Sequence, residues 1–377
     1  MPYVAARFVP VPESQLDRGP IRGWCPGVLD PMETGDGWLL RVRLPGGALN
    51  ADDLRLVAGV ASELGSGFVE ITSRANLQIR GVAADEIGRA ATRLVAAGLA
   101  EADAGADARR AVVASPLAGH DSAASCDATP VVAAIVSRLV ADLAGSLPAK
   151  FGVVVDDGGS WPLGGVDGDV RLHASPTGWT VRVRGNPTAV GVTSDPAHAV
   201  LHVAQQCIAR GARLDRGTDA ELTELDSGRP RTLGLVRHRD EGRRNVVAAP
   251  FLGRLDAATL IEMADLAERF RADVRLTPDH SIVFCGVAAD DAPGALTALS
   301  DLGLVVDPED GRAMVSACVG SRGCASALAD TSAAAHLLAA RTPVGRTHLS
   351  ACTKRCGAPS HAAGITHLVA DATGEFR

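Results

Sequence analysis

The chain has 377 residues, of which 46% are hydrophobic and 21% are charged, a composition typical of globular domains with buried cores. Its net charge of −7 and its aromatic content of 3% argue against a nucleic-acid-binding surface, since such surfaces are basic and stack bases on aromatic rings. No apolar run approaches the roughly 18 residues of a membrane span, and the first residues lack the order of a signal peptide. We therefore expect a cytoplasmic protein of two or three domains, with neither a membrane nor a nucleic acid as partner.

The first predicted unit has the order strand, helix, strand, strand. Residues 38–44 alternate in polarity, which is typical of a half-buried strand and places Arg41 and Arg43 on one face. Asn50 is positioned to cap a helix that Gly65 ends, and residues 68–73 and 77–82 have strand patterns.

The same unit returns about 205 residues later, which indicates an internal duplication. A strand at 245–251 precedes a helix capped by Asp256, and strands at 274–277 and 282–287 follow. Aligning the copies places Gly253 on Gly47 and Gly286 on Gly81. Two such copies can form a pseudo-symmetric sheet, so we predict an α+β fold.

The segment between the copies has a mixed α/β pattern. It contains a helix at 131–147, a strand near 151–155, a glycine- and aspartate-rich stretch at 156–169 that is typical of a flexible loop, and further strands and a helix up to Gly211. Residues 215–244 are polar and are interpreted as a linker.

Four cysteines in two close pairs follow the second copy. Cys318 and Cys324 are spaced C-x5-C, and Cys352 and Cys356 are spaced C-x3-C. Four thiolates so arranged can hold a cubane iron–sulfur cluster. Structural zinc favours shorter spacings than C-x5-C, and incidental buried cysteines are the third interpretation. The other four cysteines show no ligand spacing; these are Cys25, Cys126, Cys207 and Cys285.

The duplication, the two cysteine pairs and their order resemble the nitrite/sulfite reductase superfamily. The resemblance implies duplicated ferredoxin-like half-domains, each followed by an α/β cofactor-binding segment, with a [4Fe-4S] cluster on the four cysteines. The implied boundaries are 22–90 for the first half-repeat, 100–214 for the first α/β segment, 215–244 for the linker, 245–300 for the second half-repeat and 310–377 for a short cluster-binding segment.

Several polar residues lie in runs similar to those of that superfamily. The resemblance implies that Arg43, Arg110 and Lys150 are catalytic and that all three, with Arg74 and Gln78, bind the substrate. Arginine suits a tetrapyrrole polycarboxylate because its planar guanidinium binds carboxylates in a bidentate manner and stays charged.

Two departures favour a smaller relative over a sirohaem reductase. Gly152 stands where the superfamily has a second lysine, and the chain is short for a reductase. It looks most like the precorrin-3B synthase family, which implies a mono-oxygenase that hydroxylates precorrin-3A and closes a lactone, using O2 and NADH or a reduced electron donor protein. A metal-free precorrin would fill the cavity, with space left at Gly152. The alternatives are a short sirohaem-dependent sulfite or nitrite reductase and a non-catalytic tetrapyrrole-binding or cluster-carrying protein.

A second metal is a further hypothesis. His348, His361 and His367 lie near the second cysteine pair and, with Asp371, have the ligand types of a mononuclear non-haem iron site.

Overall fold

The computed structural model describes residues 25–184, 186–213, 232–341, 343, 345–358 and 364–377, with no side-chain description for 186–190. The two repeats form two five-stranded sheets. The first has, in spatial order, β1 (Met32–Thr34), β2 (Gly37–Val42), β5 (Leu77–Val82), β4 (Phe68–Ile71) and β13 (Arg254–Asp256). The second has β11 (Gly234–Arg237), β12 (Arg243–Ala248), β15 (Ile282–Ala288), β14 (Asp273–Leu276) and β3 (Ala48–Leu49).

The backbone of the two repeats confirms the duplication. Gly47 and Gly253 have φ of 70° and 71°, and Gly81 and Gly286 have φ of 66° and 75°. A positive φ is accessible to glycine at little cost, which explains the residue type at these positions. Gly47 and Gly253 each end a short turn, and Gly81 and Gly286 lie within β5 and β15, so the aligned residues have the same backbone conformation in both copies.

The repeats form two sheets rather than the single sheet expected from the sequence, and they exchange one strand each. Strand β13 of the second repeat pairs with β4, and β3 of the first repeat pairs with β14. Helices α1 (Ala51–Leu64) and α6 (Ala257–Phe270) pack against each other, and one hydrophobic core spans both repeats. The exchange makes the two half-domains one structural unit.

The helix caps confirm the predicted helix starts. Asn50 accepts a hydrogen bond from the Asp53 amide, and Asp53 accepts one from the Asn50 amide, which forms a capping box on α1. Asp256 accepts a hydrogen bond from the Thr259 amide at the start of α6. The remaining helices of the repeats are α2 (Ile87–Ala96) and α7 (Ala292–Asp301).

The first α/β segment forms a third sheet with a core of its own. Its strands, in spatial order, are β10 (Asn186–Thr193), β9 (Gly178–Val183), β8 (Val170–Ser175), β7 (Val153–Asp156) and β6 (Val112–Ala114). Its helices are α3 (Ala104–Ala108), α4 (Thr129–Asp142) and α5 (Pro196–Arg210).

Two stretches differ from their sequence interpretation. The glycine- and aspartate-rich stretch is anchored by Trp161 and Leu163, which are buried against Val247 and Val283 of the second repeat. In the predicted linker 215–244, residues Gly234–Arg237 instead form β11, because their amides pair with β12; residues 214–231 lie outside the described chain. The second repeat thus begins earlier than its sequence pattern indicates.

The cysteine segment contains a small parallel sheet that the sequence analysis did not predict. Strands β16 (Val315–Ala317), β17 (Arg346–Ser350) and β18 (Ile365–Val369) pair in that order, and α8 (Thr331–Ala339) connects the first two. Among the described residues, no helix has the length and apolarity needed to cross a membrane.

Candidate functional site

The parallel sheet brings the two cysteine pairs together. Cys318 directly follows β16 and Cys352 closely follows β17, and these neighbouring strands run in the same direction. Their carboxyl ends therefore lie at one edge of the sheet, although the pairs are far apart in sequence. The Cys318 amide donates to the Leu349 carbonyl at 3.0 Å, and this bond ties the first cysteine to the strand that leads to the second pair.

The four thiols lie close enough to affect one another electrostatically. Burial raises the pKa of Cys356, and Cys352, Cys318 and Cys324 raise it further. Burial also raises the pKa of Cys318, whereas hydrogen bonds from the Ala351 and Gly320 amides lower it. The Ala351 amide lies 3.2 Å from the Cys318 sulfur. Amide donors aimed at a sulfur stabilise the thiolate, which is the form that binds metal.

The backbone around the first pair requires glycine. Gly320 has a φ of 66°, and a Cβ there would lie 2.5 Å from Thr331 Oγ1. All four cysteines are free thiols, with Cys356 exposed and the other three of the set half-buried. A thiol set of this kind fits an iron–sulfur cluster held by Cys318, Cys324, Cys352 and Cys356. Among the described residues, no three His, Cys, Asp or Glu side chains are placed to bind one metal ion.

Two of the proposed iron-ligand histidines, His348 and His367, are paired on the neighbouring strands β17 and β18. His348 is buried on β17, its Nδ1 is 3.0 Å from Ser316 Oγ, and its ring centroid is 6.0 Å from that of His367. Asp371 instead forms an ion pair with Arg377 at 2.9 Å, and His361 lies outside the described residues. The mononuclear iron site stays a hypothesis.

Two arginines that the sequence analysis did not single out join the first sheet to the cysteine segment. Arg80 donates to the Gly323 carbonyl at 2.8 Å, and Arg254 donates to the Cys318 carbonyl at 2.7 Å. Both also bind Glu70. Strand alternation was the available signal, because Gln78 and Arg80 share one face of β5 and Glu70 is paired with Gln78.

The predicted basic residues fall into two groups. Arg43 is buried in an ion pair with Asp107 and donates to the Pro26 carbonyl at 3.1 Å. Arg110 binds Glu101 at 3.1 Å and the Gly98 carbonyl at 3.0 Å. These two guanidiniums are therefore engaged by groups of the protein itself.

The second group surrounds Arg41, which the sequence analysis placed on the strand face without assigning it a role. Arg41 donates to Gln78 Oε1 at 3.2 Å through Nε. Burial lowers the pKa of Arg41, and the nearby Arg43 and Arg74 lower it further. Cations held this close to one another favour an anionic ligand.

Arg74 lies over Gly152 and beside the aspartate-rich stretch. Its Nη2 is 4.0 Å from Asp167 Oδ2, and a Cβ on Gly152 would collide with its guanidinium. Burial lowers the pKa of Arg74, whereas Asp167 raises it. Lys150 is half-buried with a φ of 70°, and no described carboxylate lies within ion-pair distance of it.

Comparisons with known proteins agree with this architecture. Residues 30–97 and 236–302 each match the nitrite/sulfite reductase ferredoxin-like half domain. The chain is 30% identical to a precorrin-3B synthase of Sinorhizobium sp, over 90% of this chain and 79% of that protein. It is 26% identical to a chloroplastic ferredoxin–nitrite reductase of Zea mays, covering 85% of this chain and 67% of the relative.

More distant matches extend the same relationship. A sulfite reductase of Mycolicibacterium paratuberculosis is 25% identical, and the chain spans 61% of its length. The solved structure of the Mycobacterium tuberculosis NirA protein superposes with a TM-score of 0.64 at 22% identity, covering 85% of this chain and 69% of that one, which shows a shared fold. The chain belongs to the nitrite/sulfite reductase superfamily, whose relatives named above are oxidoreductases, and it has duplicated ferredoxin-like half-domains.

Proposed function

We propose that this protein is a precorrin-3B synthase, a mono-oxygenase that hydroxylates precorrin-3A and closes a lactone. The observation that carries the proposal is the 30% identity to a precorrin-3B synthase over 90% of this chain and 79% of that protein. The reaction would place one atom of O2 in the macrocycle and release the other as water, with two electrons and two protons from NADH or a reduced donor protein.

The substrate site of this proposal lies around Arg41, Arg74 and Gln78. A precorrin presents several carboxylates, and guanidiniums bind carboxylates through paired hydrogen bonds. Arg74 lies close enough to Arg41 to lower the pKa of Arg41, so a polyanion between them would relieve their repulsion. Lys150 adds a cation with no carboxylate partner among the described residues.

Arg43 and Arg110 have a supporting role in this proposal. Each is already bound to a carboxylate, so neither guanidinium has its full donor set available for a substrate. Arg43 instead holds the strand end next to Arg41, and Arg110 donates to the Arg43 carbonyl at 3.5 Å. We therefore propose a positioning role for Arg43 and Arg110, in place of the catalytic role that the resemblance implies.

The cysteine set would hold the redox cofactor. Cys318, Cys324, Cys352 and Cys356 would bind a [4Fe-4S] cluster, which transfers single electrons when bound. The Ala351 and Gly320 amides stabilise the Cys318 thiolate, and the half-buried positions of Cys318, Cys324 and Cys352 limit the access of water to their sulfurs.

Pigment analysis of protein purified without oxygen tests this proposal. We expect about four iron and four sulfide per chain, a broad absorption shoulder and no extractable tetrapyrrole. A strong Soret-type band with stoichiometric sirohaem, together with reduction of sulfite or nitrite, would instead establish the reductase alternative. A protein with a cluster and bound precorrin but no turnover would be the non-catalytic alternative.

A further inference from the structure

We propose that Arg80 and Arg254 form a clamp that positions the loop of Cys318 and Cys324, and that Arg254 raises the reduction potential of the cluster held there. This inference rests on the proposed function, because it presupposes the cluster. It assigns a role to two buried or half-buried cations that contact no part of the substrate site.

Arg80 fixes the second half of the loop. It is buried, and its Nε and Nη2 each lie 2.9 Å from the carboxylate of Asp36. Nη2 also donates to the Gly323 carbonyl at 2.8 Å, and the Gly35 amide donates to the same carbonyl at 3.2 Å. The residue before Cys324 is thus bound from two sides by the first repeat.

Arg254 fixes the first half of the loop. Its Nη2 donates to the Cys318 carbonyl at 2.7 Å, and Thr331 Oγ1 donates to that carbonyl at 2.7 Å as well. On its other side, Arg254 Nε lies 3.2 Å from Glu70. The guanidinium therefore lies between a carboxylate and the cysteine backbone, with its positive charge directed towards the loop.

The pseudo-equivalent face of the second sheet lacks this arrangement. The alignment that places Gly286 on Gly81 places Cys285 where Arg80 stands, and β3 has Ala48 where β13 has Arg254. Ala48 is paired with Arg275 as Arg254 is paired with Glu70. The duplicated fold forms without these two arginines, so they are not needed to build the sheet. They occur on the face that the cysteine loop covers.

The electrostatic effect has a definite sign. Reduction adds a negative charge to a cluster, so a nearby cation favours the reduced state and raises the potential. Arginine remains protonated at all accessible pH values, and a partly buried charge is screened less than one in water. The Arg254 guanidinium donates to the Cys318 carbonyl at 2.7 Å, so its charge lies at the backbone of one of the four cysteines.

The test compares three variants by redox titration of the holoprotein, with the cluster followed by electron paramagnetic resonance. Arg254→Gln should keep the cluster but shift its potential to more negative values than in the wild type. Arg254→Lys should give an intermediate potential, because lysine keeps the positive charge but lacks the several planar N–H donors of the guanidinium. Arg55→Gln is the matched control, since Arg55 also binds two carboxylates, those of the exposed residues Asp265 and Glu268 of α6.

A second readout uses the apoprotein. Amide hydrogen exchange over residues 318–324 should be faster in Arg80→Gln and Arg254→Gln than in Arg55→Gln. Wild-type exchange in both variants would overturn the clamp, and a wild-type potential in Arg254→Gln with full iron content would overturn the electrostatic role. Either result leaves the proposed function intact, whereas a wild-type protein without iron and sulfide would remove the proposed function itself.

Discussion

The guanidinium of Arg74 lies directly against the α-carbon of Gly152, and any side chain at position 152 would displace it. The Gly152 amide donates to Asp169 Oδ2 at 2.9 Å, which holds this stretch of backbone in place. The sequence analysis expected Gly152 to leave space in the cavity. The guanidinium of Arg74 fills that space instead. The arginine and the glycine act as a pair.

Substitution of Gly152 should consequently weaken substrate binding through Arg74. We expect Gly152→Ala to raise the dissociation constant for a precorrin by roughly 10- to 100-fold, because a displaced charge-assisted hydrogen bond costs about 1.5–3 kcal/mol. Gly88→Ala is the control, since a Cβ at Gly88 meets nothing within 4 Å. Isothermal titration calorimetry with a precorrin measures the dissociation constants of both variants. Equal affinity in the two variants would show that Arg74 does not bind the substrate.

The four cysteines should be individually required. Each single substitution should lose or degrade the cluster, because it removes the thiolate ligand of one iron. The four variants are Cys318→Ser, Cys324→Ser, Cys352→Ser and Cys356→Ser. Cys126→Ser is the control, since Cys126 is an exposed thiol outside this set. Iron and sulfide analysis decides the matter, and full content in all four variants would refute the ligand assignment.

Substitution of Arg43 should mainly lower stability, whereas substitution of Arg41 should mainly weaken precorrin binding. Arg43→Ala leaves Asp107 as an unpaired buried carboxylate, and such a change costs about 3–5 kcal/mol of unfolding free energy. Arg41→Ala should change the unfolding free energy far less and weaken precorrin binding instead. Chemical denaturation measures the first effect, and an equal loss of stability in the two variants would contradict this division of roles.

The Arg43→Ala variant should also show a characteristic pH dependence. Burial raises the pKa of Asp107 and Arg43 is the strongest opposing influence, so its removal raises that pKa further. A carboxyl with a raised folded-state pKa is stabilised when protonated, and its contribution is lost as pH rises. The destabilisation should therefore be smaller at pH 5 than at pH 8, whereas a pH-independent loss would exclude Asp107 as its cause.

A histidine pair should make the wild-type fold sensitive to acid. His120 Nδ1 lies 3.1 Å from His238 Nε2, and His238 Nδ1 accepts a hydrogen bond from the Asp240 amide at 2.9 Å. That amide assigns the proton of neutral His238 to Nε2, which donates to His120. Burial lowers the pKa of both rings, with Arg275 acting in the same direction on His120 and Asp273 opposing it.

The sign of this effect follows from linkage. The unfolded chain binds protons near the usual histidine pKa of about 6.5, before the folded protein does, so stability should fall as pH drops below that value. In His120→Gln, thermal unfolding should show a shallower decline between pH 6.5 and 5 than in the wild type. His198→Gln, at an exposed position of α5, is the control. If stability declines with pH as steeply in His120→Gln as in the wild type, the histidine pair is not the cause of the acid sensitivity.

The repeats were predictable because their signals are local. The caps at Asn50 and Asp256 and the paired glycines are readable within a few residues of sequence, and the structure confirms them. The strand exchange was not predictable, since β3 and β13 have only two and three residues and are defined by partners more than 180 residues away.

The grouping of the cysteines could be read from their spacing, whereas the surroundings of the cations could not be read from the sequence. Spacing alone grouped the four thiols, and the parallel sheet explains how distant pairs meet. Whether an arginine faces a ligand or a buried carboxylate depends on tertiary contacts, such as that of Asp107 with Arg43. Arg41 and Arg43 are two residues apart and are therefore predicted on the same face of the strand. Only their packing contacts distinguish their roles.

Product analysis with labelled oxygen distinguishes a precorrin mono-oxygenase from a sirohaem reductase. The reconstituted protein is incubated with precorrin-3A, a reductant and ¹⁸O2, and the product is examined by mass spectrometry. We expect a hydroxylated lactone that contains one atom of ¹⁸O, formed by the wild type and not by Cys318→Ser. Unaltered precorrin-3A, from a protein that holds its cluster and reduces sulfite or nitrite with bound sirohaem, would contradict this expectation.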